Sequence, residues 1–502
     1  MPSAKHVLII GAGPAGLTAG YLLAKKGVAV TILEAHPTLV GGIARTEQYK
    51  GFGFDIGGHR FFSKSQEVED LWTELLPDDM LERPRSSRIY YRGHFFDYPL
   101  RAVDALRKLG LIESTLCVLS YMRARLQPVK DPVNLEDWVT NQFGSRLYRI
   151  FFKTYTEKVW GMSCRAISAD WAAQRIKGLS LASAIVNALK PQPKPESGNR
   201  SGIIKTLLTH FRYPRRGPGM LWEAAARKTQ ELGGTLHMGT EVTGARFDSA
   251  RDAWTLGFKR SDGSHGEIEG TDVISTAPLR ELVLALEPAT PAPVQDAARA
   301  LKYRDFLTVA LVVKDRDVFS DNWIYIHDPG VKVGRVQNFK SWSPELVPDP
   351  ALTCYGLEYF CFEGDGVWSA SDAELVGLGI SEMTTLGLLR PEDVVDGCVV
   401  RQQKAYPVYD ATYAHNVKIV SEGLREHFPS LHVIGRNGMH KYNNQDHAMM
   451  TAMLTVRNIA EGADYDVWEV NQDAEYHEGD RHQDSANHGA SGVRDVPIPI
   501  AT

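Results

Sequence analysis

Cysteine is scarce in this 502-residue chain. There are five, Cys117, Cys164, Cys354, Cys361 and Cys398, scattered, odd in number and never in a CxxC pair. That speaks against a disulfide framework and a zinc ribbon, and fits a reducing, cytoplasmic setting. Long apolar runs are missing too. No stretch reaches the ~18 uninterrupted apolar residues of a bilayer-crossing helix, so no membrane insertion is expected. Nor is there a secretory pattern. Met1–His6 holds one lysine, and the apolar run from Val7 to Gly16 is short and broken by glycine, as in a buried strand. Neither sign of charge dominates. With 56 basic and 61 acidic residues the net charge is −5, too balanced for non-specific binding of nucleic acid or of an anionic membrane. Internal repeats are absent, as are a Ser-His-Asp arrangement and any cluster at metal-ligand spacing, so no metal is expected. His477, His482 and His488 lie in a polar stretch after about Glu475 that reads as a flexible, solvated tail.

What remains is an ordinary globular composition, 43% hydrophobic and 23% charged, long enough for two to four structural units. Its strongest local signal is at the start. His6–Ile10 is a continuous apolar run suited to a doubly covered parallel strand. Gly11-Ala12-Gly13-Pro14-Ala15-Gly16 follows, then a small-residue helix to Lys26 and a second strand from Val28 to Leu33, closed by Glu34. Each glycine has a task. Gly11 permits the tight turn, Gly13 lets the backbone approach a pyrophosphate, and Gly16 allows close helix–strand contact. The helix N-terminus attracts the anion. Glu34 stands where a carboxylate accepts a ribose hydroxyl. Together these mark a dinucleotide site.

Further along, the texture is helical from about Phe95 to Lys190, with Asn134 as an N-cap and one helix expected from Ser145 to Trp160. Residues 234–273 alternate as strands, and further strands follow in FLTVALVVK, NWIYIHD and LTCYGLEYFCF, with a helix over Ala373–Leu389. A short strand near His432 leads through a polar loop to a last helix, with Asp446 expected as its N-cap.

A second glycine pair and an arginine, Gly41-Gly42-Ile43-Ala44-Arg45, come soon after Glu34, followed by Asp55-Ile56-Gly57-Gly58-His59. This pattern resembles FAD-binding proteins of the glutathione-reductase class, in the branch that holds amine oxidases, protoporphyrinogen oxidases and UDP-galactopyranose mutases. The segment Gly435-Arg436-Asn437-Gly438 running to Lys441-Tyr442-Asn443-Asn444-Gln445-Asp446-His447 is similar to the C-terminal signature of the mutases.

The resemblance implies an α/β fold: a discontinuous Rossmann-type FAD-binding domain, a largely antiparallel substrate sheet and a helical subdomain. The expected division is FAD domain at 1–95, 203–278 and 426–465, helical subdomain at 96–202, substrate sheet at 279–425 and tail at 466–502. Gly11, Gly13, Ala15, Gly16, Glu34, Gly42, Arg45, Gly58, Val242, Gly435, Asn444 and Gln445 would hold FAD. His59 would sit beside the flavin. Arg175 and Arg335 would take the substrate diphosphate, with Tyr98, Trp160, Trp323, Tyr325, Tyr406, Arg436 and Tyr442 completing the substrate site. Leu100, Arg101 and Leu208 depart from the family at the nucleotide end, so the nucleotide and the sugar stay open.

The implied activity interconverts pyranose and furanose forms of a nucleotide sugar. By that resemblance, reduced flavin N5 would attack the anomeric carbon, the nucleoside diphosphate would leave and later return, and no net redox would occur. NADPH or NADH would supply the electrons that prime the flavin, and a homo-oligomer is compatible. The alternative is an FAD-dependent oxidoreductase of amine oxidase or dehydrogenase type acting on a sugar or other polar substrate, since one scaffold hosts many reactions.

Overall fold

A computed structural model describes residues 5–98, 100, 102–167 and 210–471. Its centre is a five-stranded parallel sheet in the order Leu431–Val433, Asp272–Ser275, His6–Ile10, Ala29–Leu33, Thr235–His237. Strands from both ends and the middle of the chain meet here, so this unit is discontinuous. The opening strand is apolar on both faces because both are covered. Val7 and Ile9 pack among residues of the helices Pro14–Lys25, Gly219–Glu231 and Gln445–Glu461. Leu8 and Ile10 pack toward Trp254 and Leu256 of a second sheet of four strands, which contains Thr240–Asp248 and Ala253–Arg260.

The third layer is a seven-stranded sheet in the order Val394–Pro407, Tyr303–Lys314, Leu352–Cys361, Arg335–Asn338, Trp323–Ile326, Ser87–Tyr91, His94–Asp97. It is antiparallel except where Trp323–Ile326 runs parallel to Ser87–Tyr91. The helix Asp372–Thr385 covers one face and contributes Leu375 and Met383 to its core. The fold class is the expected α/β arrangement with a largely antiparallel substrate sheet. The break expected at residue 95 falls inside the hairpin Ser87–Asp97, whose strands belong to this third layer.

Two local expectations change. The stretch from Ser145 to Trp160 is not one regular helix. Leu135–Tyr148 contains Gly144 at φ +81°, and a π-helical turn, Arg149–Lys153, precedes Thr154–Trp160. A β-carbon at Gly144 would lie 2.6 Å from the Tyr121 nitrogen, so the neighbouring helix forces glycine and a break there. The last helix is capped by Asn444 rather than Asp446, with the Asn444 N–H donating to His447 Nδ1 at 3.2 Å. Asp446 lies in the first turn, where its charge suits the helix dipole.

Candidate active site

The first half of the site is made of backbone. Gly11 turns the chain at φ +95°. A β-carbon at Gly16 would lie 2.0 Å from the Gly11 carbonyl oxygen, so nothing larger than hydrogen fits. Gly13 differs: the nearest atom to its β-carbon would be Gly42 Cα at 3.9 Å. Gly13 and Gly42 therefore face each other with neither side chain between them. Gly41 N–H donates to the Ala12 carbonyl at 2.8 Å and holds the two loops together. A third segment arrives at Gly435, at φ +79°, whose β-carbon would lie 3.0 Å from that of Ala15. The helix Pro14–Lys25 starts here with no side-chain cap and no acid in its first turn. Its free N–H groups suit a phosphate.

Glu34 closes the second strand and accepts N–H bonds from Ala12 at 2.6 Å and His36 at 2.7 Å. Thr240 N–H donates to the Glu34 carbonyl at 2.7 Å, which brings the strand carrying Val242 to this end of the cradle. Arg45 is committed locally, to Glu47 at 2.6 Å, the Gly42 carbonyl at 3.0 Å and Gln402 at 2.8 Å. It pins the second glycine loop rather than lining the cleft. A flavin dinucleotide fits these residues: the uncapped helix, the gap between facing glycines and the acid at the strand end all suit it.

The second half is made of side chains. An open cleft is lined by the loop residues Ile56–Arg60 and Phe62 together with Ile43, Arg335, Tyr406, Arg436, Tyr442 and residues 444–446. Gly58 is tightly packed: a β-carbon there would lie 3.1 Å from Gln337 Nε2 and 3.2 Å from Trp342. Gln445 Nε2 holds this loop by donating to the Arg60 carbonyl at 3.0 Å. Gln445 Oε1 and His59 Nδ1 are buried with no hydrogen-bond partner. Burial, with Arg436 and Arg335 nearby, pushes the His59 imidazole down to about 3, so it stays neutral at ordinary pH.

Arg335 is anchored from behind. Its Nε donates to Glu358 Oε2 at 2.6 Å, and Gln337 Nε2 donates to the other oxygen at 2.6 Å. Glu358 is wholly buried. Burial opposes the charge on Arg335, but Glu358, with Tyr155, Tyr406 and Tyr325 around it, outweighs that and holds its proton firmly. Across the cleft the rings of Tyr406 and Tyr442 lie 5.6 Å apart and 12° from parallel. The Arg436 guanidinium sits 5.4 and 5.0 Å from their centroids. Burial raises the Tyr406 phenol, so it remains a hydrogen-bond donor. Two guanidinium groups and two phenols in one cleft make a site for a multiply charged phosphate-like anion.

An aromatic wall leads away from Arg335. Tyr325 is its cross-strand partner. The Tyr325 ring touches Tyr155 at 5.4 Å and Tyr98 at 4.8 Å. His327 stacks on Tyr155 at 5.0 Å. Four expected substrate residues, Tyr98, Tyr325, Trp160 and Trp323, are not among those that line the cleft. Trp323 is 3% exposed and stacks on Trp342 in the core, with the Arg60 guanidinium of the cleft loop 5.4 Å from its ring. Trp160 stacks on Tyr409 at 6.2 Å, and the Tyr409 hydroxyl accepts the Tyr442 N–H, so Trp160 backs the cleft at one remove. Arg175 and Leu208 lie outside the described residues, as does Arg101. Sequence reasoning missed Tyr155, Arg60 and Glu358. Glu358 had a signal, an acid in an otherwise apolar strand, but only the register shows that it faces Arg335.

The family model for flavin-containing amine oxidoreductases matches residues 14–416. The chain belongs to that family. Among curated relatives, the dTDP-fucopyranose mutase of Escherichia coli is 28% identical over 171 residues, 33% of this chain and 44% of that protein. A 4,4'-diapophytoene desaturase of Methylomonas sp is 46% identical over 57 residues, 11% of each chain. The chain thus spans less than half the length of these relatives. Among solved structures, a reduced UDP-galactopyranose mutase matches with a TM-score of 0.76 at 22% identity, over 91% of this chain and 96% of that one. A putative protoporphyrinogen oxidase from Exiguobacterium sp. 255-15 matches with 0.68 at 16% identity, over 92% and 99%. At these identities the structures establish the fold alone. No helix of the described residues is long and apolar enough to cross a membrane.

Proposed function

We propose that the chain is an FAD-dependent mutase that interconverts pyranose and furanose forms of a nucleotide sugar without net redox. The observation that carries this reading is the grouping of Arg335, Arg436, Tyr406 and Tyr442 in a cleft that begins at Gly57, Gly58 and His59. The mutase relatives, named for UDP-galactopyranose and dTDP-fucopyranose, support the substrate class. FAD, held in the glycine cradle and primed by NADPH or NADH, would supply a nucleophilic centre when reduced. The residues of the chain do the rest. Arg335, aimed by Glu358, and Arg436 bind the diphosphate and stabilise the charge that grows on it as the anomeric bond breaks. Tyr406 and Tyr442 donate to the same oxygens. Tyr155, Tyr325 and Tyr98 present flat rings to a nucleoside. His59, held neutral, has a free ring nitrogen for a sugar hydroxyl or a flavin edge. Five free cysteines support a reducing cytoplasmic setting.

The test is redox balance. One anaerobic reduction should support many turnovers of a nucleotide sugar, with a product of unchanged mass and new retention. The family itself and the desaturase match favour a second reading, an FAD-dependent oxidoreductase. Substrate-driven bleaching of oxidised flavin, with a product two hydrogens lighter, would replace the first reading with the second.

A further inference from the structure

The helix Leu111–Leu126 wears its apolar residues on the outside. Leu111 is 86% exposed, Ile112 81%, Leu119 56% and Leu126 80%. At ~100° per residue, Leu111, Met122, Thr115, Leu126, Leu119 and Ile112 fall within one ~100° sector. The buried residues Cys117 and Ala124 lie on the opposite side, where the helix packs on Leu135–Tyr148 through Ser120–Ser145 at 3.0 Å and the Glu113–Arg146 ion pair. Arg123 and Arg125 project from the two edges of the apolar sector, both exposed. Gly110, at φ +81°, turns the chain so that Leu111 and Ile112 form a corner beside the exposed Arg107. Past the far end, Val129 and Val133 are also exposed.

We infer that this face docks on an anionic lipid surface. Charge chooses the occupant. Between residues 102 and 133 the carboxylates are Asp104, Glu113, Asp131. Two of them are engaged, Asp104 by Lys108 and Glu113 by Arg146. Among the described residues of this stretch, Arg107, Arg123, Arg125 and Lys130 are left against Asp131 alone. A basic rim around an exposed apolar stripe is the pattern of a helix that lies in the interface, leucines among the acyl chains and arginines at the phosphates. A second copy is the poorer occupant, because a two-fold contact through this face sets one basic rim against another. At ~1.5 Å per residue the helix spans ~24 Å, so it lies on the bilayer and does not cross it. The whole-chain charge of −5 conceals this local surplus, and the near-neutral balance does not speak for this surface.

Co-sedimentation of the full chain with lipid vesicles tests the assignment. At low salt the protein should pellet with phosphatidylglycerol-rich vesicles and much less with pure phosphatidylcholine, and added salt should release it. Leu119→Glu/Leu126→Glu and, separately, Arg123→Glu/Arg125→Glu should each lower the bound fraction about tenfold or more. All four sites are exposed, so unchanged thermal melting should accompany the loss. Equal binding by either variant, or no preference for the anionic vesicles, overturns the proposal. So does a chain that ignores vesicles but is dimeric in sedimentation velocity and is made monomeric by Leu119→Glu/Leu126→Glu; the face then belongs to a second copy.

Discussion

The glycine cradle and the cationic cleft touch, yet they are built on opposite principles. The cradle is backbone. Gly11, Gly13 and Gly16 lie within six residues, and Gly42 and Gly435 close on them. Its specificity comes from the absence of side chains, and it fails by collision. The cleft is side chain. Arg335, Tyr406, Arg436 and Tyr442 come from separate strands and turns, and each cation needs a buried partner behind it. It fails by electrostatics. Substitutions in the first should remove the cofactor or the fold, and substitutions in the second should separate binding from stability.

The largest effect expected is within the cradle itself. Gly16→Ala puts a methyl 2.0 Å from a carbonyl oxygen, and neither backbone can yield, so the chain should lose about 3 kcal/mol or more, or not fold. Gly13→Val meets no such obstacle in the free protein, where only Gly42 lies near. Its melting temperature without cofactor should be close to that of the parent, while flavin retention is lost because the side chain fills the space the pyrophosphate needs. Flavin absorbance and calorimetry on the two variants distinguish them. Full flavin binding by Gly13→Val would remove the cradle assignment.

In the cleft, Arg335→Ala leaves Glu358 buried and uncompensated, which should cost about 3–5 kcal/mol of stability and about 2 kcal/mol or more of nucleoside diphosphate affinity. Arg335→Met with Glu358→Leu removes both charges. That pair should recover much of the stability, because buried ion pairs are replaceable by apolar side chains, and none of the affinity. Denaturant melts and diphosphate titrations read the two quantities apart. Recovery of affinity in the double variant would show that Arg335 does not touch the anion.

The same contrast explains what could be read from the sequence. A backbone site leaves a local signature, since glycines at fixed spacing between a strand and a helix have few other uses. The seven-stranded sheet left none of its register. Trp323 and Tyr325 alternate equally well in either setting, and only pairing with Arg335–Asn338 sets Tyr325 opposite Arg335 and Trp323 opposite Gln337. Glu358 sits 23 residues from Arg335 and becomes its partner only through that pairing. The π-helical turn at Arg149–Lys153 was hidden for another reason: apolar spacing marks which face is inward, not how tightly the backbone is wound.

His59 belongs to the boundary between the two regions, and its effect is intermediate. Its ordinary value of 6.5 falls to about 3 in the folded chain, mainly through burial. Between those values the unfolded chain binds a proton that the folded chain refuses. Its contribution is therefore fully present above pH 6.5 and is lost as pH falls toward 3, by up to about 1.4 kcal/mol per pH unit. His59→Gln should flatten the acid limb of a stability-versus-pH curve by that one proton. An unchanged slope would mean that the ring reaches solvent.

The smallest effect sharpens the cleft most. Tyr406 and Tyr442 stack almost in parallel beneath Arg436, so the proposed function gives each two separable roles: a ring that carries the cation and a hydroxyl that would donate to the ligand. Phenylalanine keeps the ring and removes the hydroxyl. The core around Tyr406, with Phe306 at 6.1 Å and Phe360 at 5.9 Å, should be indifferent to the change. Tyr406→Phe and Tyr442→Phe should each cost about 1 kcal/mol in diphosphate affinity, the ordinary worth of one hydrogen bond. Because both hydroxyls are assigned to one anion, the double variant should depart from additivity. Isothermal titration of the two single variants and the double with a nucleoside diphosphate measures that coupling. Strict additivity would place the two phenols on different parts of the ligand, and no loss from either would leave the rings as a support for Arg436 alone.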